Sequence, residues 1–117
     1  MDKRIGMKRY ALTYHPMAQR MLECIYKWGV HDSGARAAQK FLKKLVGEIK
    51  SLCEMPTMGS FEPMLQDRSF GYRSFVVHRY FKVIYLIDEA EHAIRIVDIW
   101  DTRMNPDDLQ SHIDQKL

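Results

Sequence analysis

The apolar residues of this chain change their period once, and that change fixes what it can fold into. Between residues 16 and 52 they recur at three- and four-residue spacing, the signature of helices with one buried stripe. From Ser69 to Asp101 the texture turns to Val, Ile, Phe and Tyr in runs of strand length. Two helices followed by three strands cannot each bury their apolar side alone. Packing the helices on one face of a sheet is the economical solution.

The first helix is announced by Pro16, which suits a first helical turn, and by the stripe Met17, Met21, Leu22, Ile25 and Trp28, with Gly29 as its expected stop. Asp32 or Ser33 is placed to cap a second helix whose stripe is Ala38, Phe41, Leu42, Leu45, Ile49 and Leu52. Lys40, Lys43, Lys44 and Lys50 populate its other surface, and Pro56 marks its end. The short connection makes the pair an antiparallel hairpin. Ahead of it, Tyr10 to Tyr14 reads as a short strand after a mobile basic leader over residues 1 to 9.

Strands are expected at 70 to 77, 80 to 88 and 93 to 101, joined by short polar turns into an antiparallel meander. Asn105-Pro106-Asp107-Asp108 has the cap, first-turn proline and acidic first turn of a short helix, within a tail from 104 to 117. The expected architecture is one α+β domain over 1 to 117: a helical hairpin packed on a small twisted antiparallel sheet, β-α-α-β-β-β, with a short C-terminal helix. The opposite sheet face is expected to be free as a binding surface.

With 117 residues, 46% hydrophobic and 28% charged, the chain has the size and composition of one folded domain. No apolar run approaches the roughly twenty residues of a membrane span, and Met1-Asp2-Lys3-Arg4 is not followed by the apolar stretch of a secretory signal. A cytoplasmic protein with no membrane partner is expected. Cys24 and Cys53 have no metal or disulfide spacing and read as buried thiols. The five histidines have no paired helical spacing, and no phosphate loop or hydrolase elbow is present. No metal and no cofactor is implied.

Net charge is +3, unevenly spread. Residues 1–50 carry eleven Lys and Arg against four Asp and Glu, while residues 83–117 carry three against eight. A basic front half is compatible with nucleic acid or an acidic protein partner.

The fragments taken together resemble the RelE/ParE superfamily, the toxin halves of bacterial type II toxin-antitoxin pairs. The resemblance spans about Tyr10 to Leu109. It rests on Leu12-x-x-x-Pro16-x-Ala18, Ile25-Tyr26-Lys27-Trp28-Gly29, Ala38-x-x-Phe41-x-x-x-Leu45 and Leu52-x-x-x-Pro56-x-Met58-Gly59. It continues through Tyr72-Arg73-Ser74-Phe75, Lys82-Val-Ile-Tyr85, Ile94-x-Ile96-Val97-x-Ile99 and Asp101-Thr102-Arg103. It implies a cognate antitoxin, a toxin-antitoxin hetero-oligomer and one of two targets. RelE-like members cut mRNA on the ribosome without a metal; ParE-like members inhibit DNA gyrase.

Under the nuclease reading, Arg73, Lys82 and Arg103 match basic positions of RelE-like enzymes, with His78 and Tyr85 as weaker substitutes for groups the pattern lacks at Phe75 and Leu109. Trp28-Gly29 and Pro56-x-Met58-Gly59 in a long helical hairpin resemble the ParE-like branch, which is the branch favoured. By the bland reading, Trp28 is an end-of-helix core residue, Gly29 a left-handed cap, and Arg103 pairs with Asp98 or Asp101. The expected function is therefore the toxin of a plasmid-stabilisation module that arrests growth through gyrase. The alternatives are an mRNA endonuclease, or a non-toxic relative that retains only antitoxin binding.

Overall fold

A computed structural model describes residues 9–78, 80–104, 107 and 113. Residues 1–8 of the expected 1–9 leader, the expected C-terminal helix apart from 107 and 113, and Leu109 lie outside the described residues. The first strand, β1 (Ala11–Tyr14), leads directly into α1 (Pro16–Ser33). Proline occupies the first turn, and the His15 imidazole Nδ1 accepts the Met17 amide at 3.0 Å, satisfying one of the amides a helix start leaves open.

Helix α1 runs past Gly29, which is a helical residue and not the cap. A Cβ at Gly29 would lie 3.1 Å from Cβ of Ala38, so glycine there lets the hairpin helices approach closely. The break comes at Gly34, whose φ of 91° few other residues adopt, and α2 (Ala35–Ser51) starts from it with no side-chain cap. Asp32 and Ser33 therefore finish the first helix and cap nothing.

After α2 the chain makes a strap with 3-10 turns at Pro56–Met58 and Pro63–Leu65, around the two-residue strand β2 (Ser60–Phe61). The meander β3 (Arg73–His78), β4 (Phe81–Asp88) and β5 (Ala93–Asp101) follows. The sheet order is β1-β5-β4-β3-β2. All neighbours are antiparallel except β1, which pairs parallel to β5 from Ala11 opposite Ala93 to Tyr14 opposite Ile96. The sheet is thus mixed and five-stranded, where an antiparallel sheet with one strand fewer was expected. The helical hairpin and strap act as a long crossover that brings β1 and β5 side by side in the same direction.

Two register shifts decide what faces what. One lies at Ile84/Tyr85 against β5, where Ile84 pairs with Asp98 and Tyr85 with Ile96. Ile94, Ile96 and Ile99 therefore join the core under the helices, with Ala18, Ile25, Leu45, Ile49, Leu52, Phe81, Val83 and Tyr85. Val97 and Trp100 go to the opposite face with Ile84, Leu65, Tyr72 and Ile113. That second cluster corrects the expectation of a free far face: the strap and Ile113 cover part of it. Cys53 is buried and Cys24 half-buried, both as free thiols. Trp28, expected in the core, is 46% exposed. Among the described residues no helix is long and apolar enough to cross a membrane.

Candidate functional site

The five residues singled out by sequence lie in three settings. Arg73 opens β3 on the helix side of the sheet, opposite Tyr85 of β4. Its Nη1 donates to the Gly59 carbonyl at 2.7 Å, and the guanidinium lies 4.2 Å from the centre of the Phe61 ring. No carboxylate pairs with it among the described residues. Tyr85 pins the same strap: its hydroxyl donates to the Pro56 carbonyl at 2.6 Å and accepts the Gly59 amide at 3.0 Å. Burial pushes its phenol pKa up from the ordinary value, outweighing the opposing Gly59 amide and Arg73. Gly59 is fixed in place because a Cβ there would collide with the Ser74 carbonyl and come within 2.8 Å of the Tyr85 hydroxyl.

Lys82 lies on the other side of the sheet. Its Nζ donates at 2.9 Å to Oε1 of Glu62, which also accepts the Ser74 hydroxyl at 2.7 Å; Oε2 accepts the Met64 amide at 2.8 Å. Glu62 is 1% exposed. Burial alone would raise its pKa, but the Met64 amide, the Ser74 hydroxyl and Lys82 together hold it below the ordinary carboxylate value. A cleft of about 400 Å³ opens beside this pair, lined by the strap from Thr57 to Pro63 and by Ser74, Phe75, Val76 and Lys82.

Arg103 follows β5 at the far end of the sheet. It grips Asp101 through Nε at 2.9 Å and Nη2 at 2.7 Å, and lies 4.3 Å from the centre of the Tyr80 ring. The Asp101 hydrogen bonds raise the guanidinium pKa, and Arg103 in turn lowers that of Asp101. The pairing with Asp101 anticipated as the structural alternative is present. Its neighbourhood is a second cleft of about 420 Å³, lined among others by Trp28, Phe41, His78, Tyr80 and Phe81. His78 joins it because the register shift between Val76 and His78 turns its ring to the helix side, 5.4 Å from Phe41.

The structure therefore groups Arg73 with Tyr85, places Arg103 near His78, and leaves Lys82 apart with a partner that sequence reasoning missed. Glu62 carries no sequence signal of its own. Its role depends on a strap that brings it against Ser74 and Lys82, 12 and 20 residues further along the chain. Among the described residues no cluster of His, Cys, Asp and Glu is arranged to hold a metal ion.

Several solved structures share this fold. The chromosomal ParDE toxin-antitoxin system from P. aeruginosa matches with a TM-score of 0.65 at 22% identity, over 80% of this chain and 96% of that one. E. coli toxin RelE, as a mutant in the free state, gives 0.59 at 9% identity over 93% and 98%. The RelBE2 toxin-antitoxin complex from Mycobacterium tuberculosis gives 0.56 at 18% over 85% and 94%. No curated protein matches the sequence significantly. The sequence profile of the ParE toxin of type II toxin-antitoxin systems, parDE, matches residues 12–106, and with most of its length in that match the chain belongs to the ParE toxin family.

Proposed function

We propose that this chain is the toxin of a plasmid-stabilisation type II module, a cytoplasmic protein that arrests growth by inhibiting DNA gyrase unless its cognate antitoxin is bound. The antitoxin partner is supported by the structural relatives, two of which are described as a toxin-antitoxin system and a toxin-antitoxin complex. The observation that carries the choice of target is the separation of the three cations.

Metal-free RNA cleavage needs a base at the 2′-hydroxyl, positive charge at the phosphorane and an acid at the 5′-oxygen, all around one phosphate. Arg73 and Lys82 lie on opposite faces of the sheet, and Arg103 lies past its end, clamped to Asp101. Side chains that leave opposite faces, each already held by a partner of its own, are poorly placed to meet at one reacting phosphate. Tyr85 is a poor substitute base, since its phenol is held protonated and its hydroxyl is occupied by Pro56 and Gly59. The geometry suits a protein that binds its target.

The test is inducible expression with and without the cognate antitoxin. Expression alone should stop growth and leave plasmid DNA relaxed, and co-expression should restore both. A harmless protein that still binds the antitoxin would identify a non-toxic relative instead. Growth arrest with normal supercoiling and cleaved mRNA would favour the endonuclease.

A further inference from the structure

The outer face of α2 carries charge of one sign that the fold does not use. Arg36, Lys40, Lys43, Lys44 and Lys50 are all exposed. At about 100° per residue they fall within about 120° of the helix's circumference, opposite the buried Ala38, Leu45 and Ile49. They span about 21 Å along the axis, at about 1.5 Å per residue. The other residues in that arc, Gly47 and Ser51, are uncharged, and Glu48, the helix's single carboxylate, lies outside it. None of the five cations takes part in an ion pair among the described residues.

This arrangement opposes the helix that bears it. The positive end of a helix dipole favours carboxylates in the first turn, where α2 has none and carries Arg36 instead. Arg36, Lys40 and Lys44 follow one another at four-residue spacing, which sets like charges side by side. Gly47 occupies the middle of the arc, although glycine is a poor residue for a helix interior and a Cβ there would meet nothing within 4 Å. Packing therefore does not call for glycine at this point, whereas a partner that comes close to the helix backbone does. Unpaired cations around a bare stretch of helix suit an anionic partner.

The composition of the arc decides which anion. It has no Trp, Phe or Leu to enter a bilayer surface, and Leu45 and Ile49 of the same helix are spent on the core. It has no aromatic ring on which the bases of a single strand could stack. It has no apolar anchor of the kind that protein interfaces are built around, and those interfaces are poor in lysine. A regular row of phosphates fits, because lysines meet phosphate as point charges without a shaped pocket. Duplex DNA supplies such a row, and its major groove admits a helix between two phosphate rims, whereas that of duplex RNA is too narrow.

We propose that the outer face of α2 binds the phosphate backbone of duplex DNA, without sequence preference, through Arg36, Lys40, Lys43, Lys44 and Lys50. The inference goes beyond the growth-arrest reading and does not depend on it, because the face is separate from Arg73, Lys82 and Arg103.

The test is fluorescence anisotropy of the full chain with a fluorescein-labelled DNA duplex of about 20 base pairs over a series of salt concentrations. Affinity should fall roughly 60- to 500-fold between about 50 and 200 mM salt, a logarithmic slope of about −3 to −4.5. Lys44→Gln should flatten that slope by about one, while Arg20→Gln, an equal loss of charge on α1, should leave it unchanged. Gly47→Glu should weaken binding about tenfold or more with the melting temperature no lower, since glutamate is the better helix former and has room there. A duplex of unrelated sequence should bind equally. Single-stranded DNA, duplex RNA, phosphatidylserine vesicles and polyglutamate should each displace the duplex less well at equal negative charge. Absence of duplex binding at low salt, a slope that Lys44→Gln and Arg20→Gln change alike, or indifference to Gly47→Glu would overturn the proposal. Better displacement by any of the four competitors would assign the face to that class of partner and would equally overturn it.

Discussion

The two faces of the sheet are built on different physics. Toward the helices, Ala18, Ile25, Leu45, Ile49 and Leu52 meet Phe81, Val83, Ile94, Ile96 and Ile99, and stability there is a matter of filled volume. The far face has a smaller apolar cluster around Trp100 and Leu65, and beside it a buried carboxylate held by a lysine, a hydroxyl and an amide. The first kind of face tolerates changes of pH and suffers from voids. The second suffers in addition when charge is lost. The difference also separates Arg73 from Lys82, which is why basic residues close in sequence do not form one site.

Substitutions can break this contrast or sharpen it. The largest losses should come from Lys82→Met, which strands the buried Glu62 carboxylate and should cost roughly 3–5 kcal/mol at neutral pH. Leu45→Ala on the helix side should cost a comparable roughly 2–5 kcal/mol by opening a cavity. Urea unfolding at several pH values distinguishes the two. The Leu45 loss should be nearly constant with pH, whereas the Lys82 loss should shrink in acid, where Glu62 becomes neutral in the variant.

Next in size is the strap. Tyr85→Phe removes the hydroxyl that bridges Pro56 and Gly59 and should cost about 1–3 kcal/mol. Gly59→Ala should cost a similar roughly 1–3 kcal/mol, because the Ser74 carbonyl must move. Both variants should speed proteolysis between Met55 and Leu65 before they affect the helical hairpin. Equal protection of strap and hairpin in hydrogen exchange would erase the distinction drawn between them.

Acid dependence is a subtler discriminator. The folded-state pKa of Glu62 is depressed, so its contribution to stability is fully present above the unfolded value of about 4.3 and is lost as pH falls through the folded value. Asp101, lowered chiefly by Arg103, adds to the same limb. Glu62→Gln should lower stability at pH 7 and flatten the fall below about pH 4. A Glu62→Gln protein with the parent's acid limb would remove Glu62 from that account. Smallest of all should be Arg103→Ala, with a urea midpoint close to the parent's, since the guanidinium is largely exposed and its ion pair with Asp101 is screened.

The helices and the meander were readable because their apolar periods are regular over many residues. The same regularity misled at Gly29, where the stripe loosens but the helix continues, and at Trp28, whose spacing continues the stripe although its side chain is exposed. Strand β2 has only two residues and is held by Arg73, Tyr85 and Ser74, between 14 and 29 residues distant for the strap bonds of Arg73 and Tyr85, so no local pattern announces it. The parallel pairing of β1 is equally silent, since a strand's alternation is the same whichever way its neighbour runs. In the candidate site, Arg73, Lys82 and Arg103 were visible as cations. Their separation was not, because strand alternation, the register shifts and the buried Glu62 decide it only once the strands have paired.

The most direct test of the central claim, that these cations do not form one catalytic centre, is to assay the purified protein in parallel for inhibition of gyrase supercoiling and for cleavage of ribosome-bound mRNA. The account predicts loss of supercoiling with the message intact, and the same message intact for Arg73→Ala and Arg103→Ala. Cleavage of ribosome-bound message that disappears in both of those folded variants would contradict it.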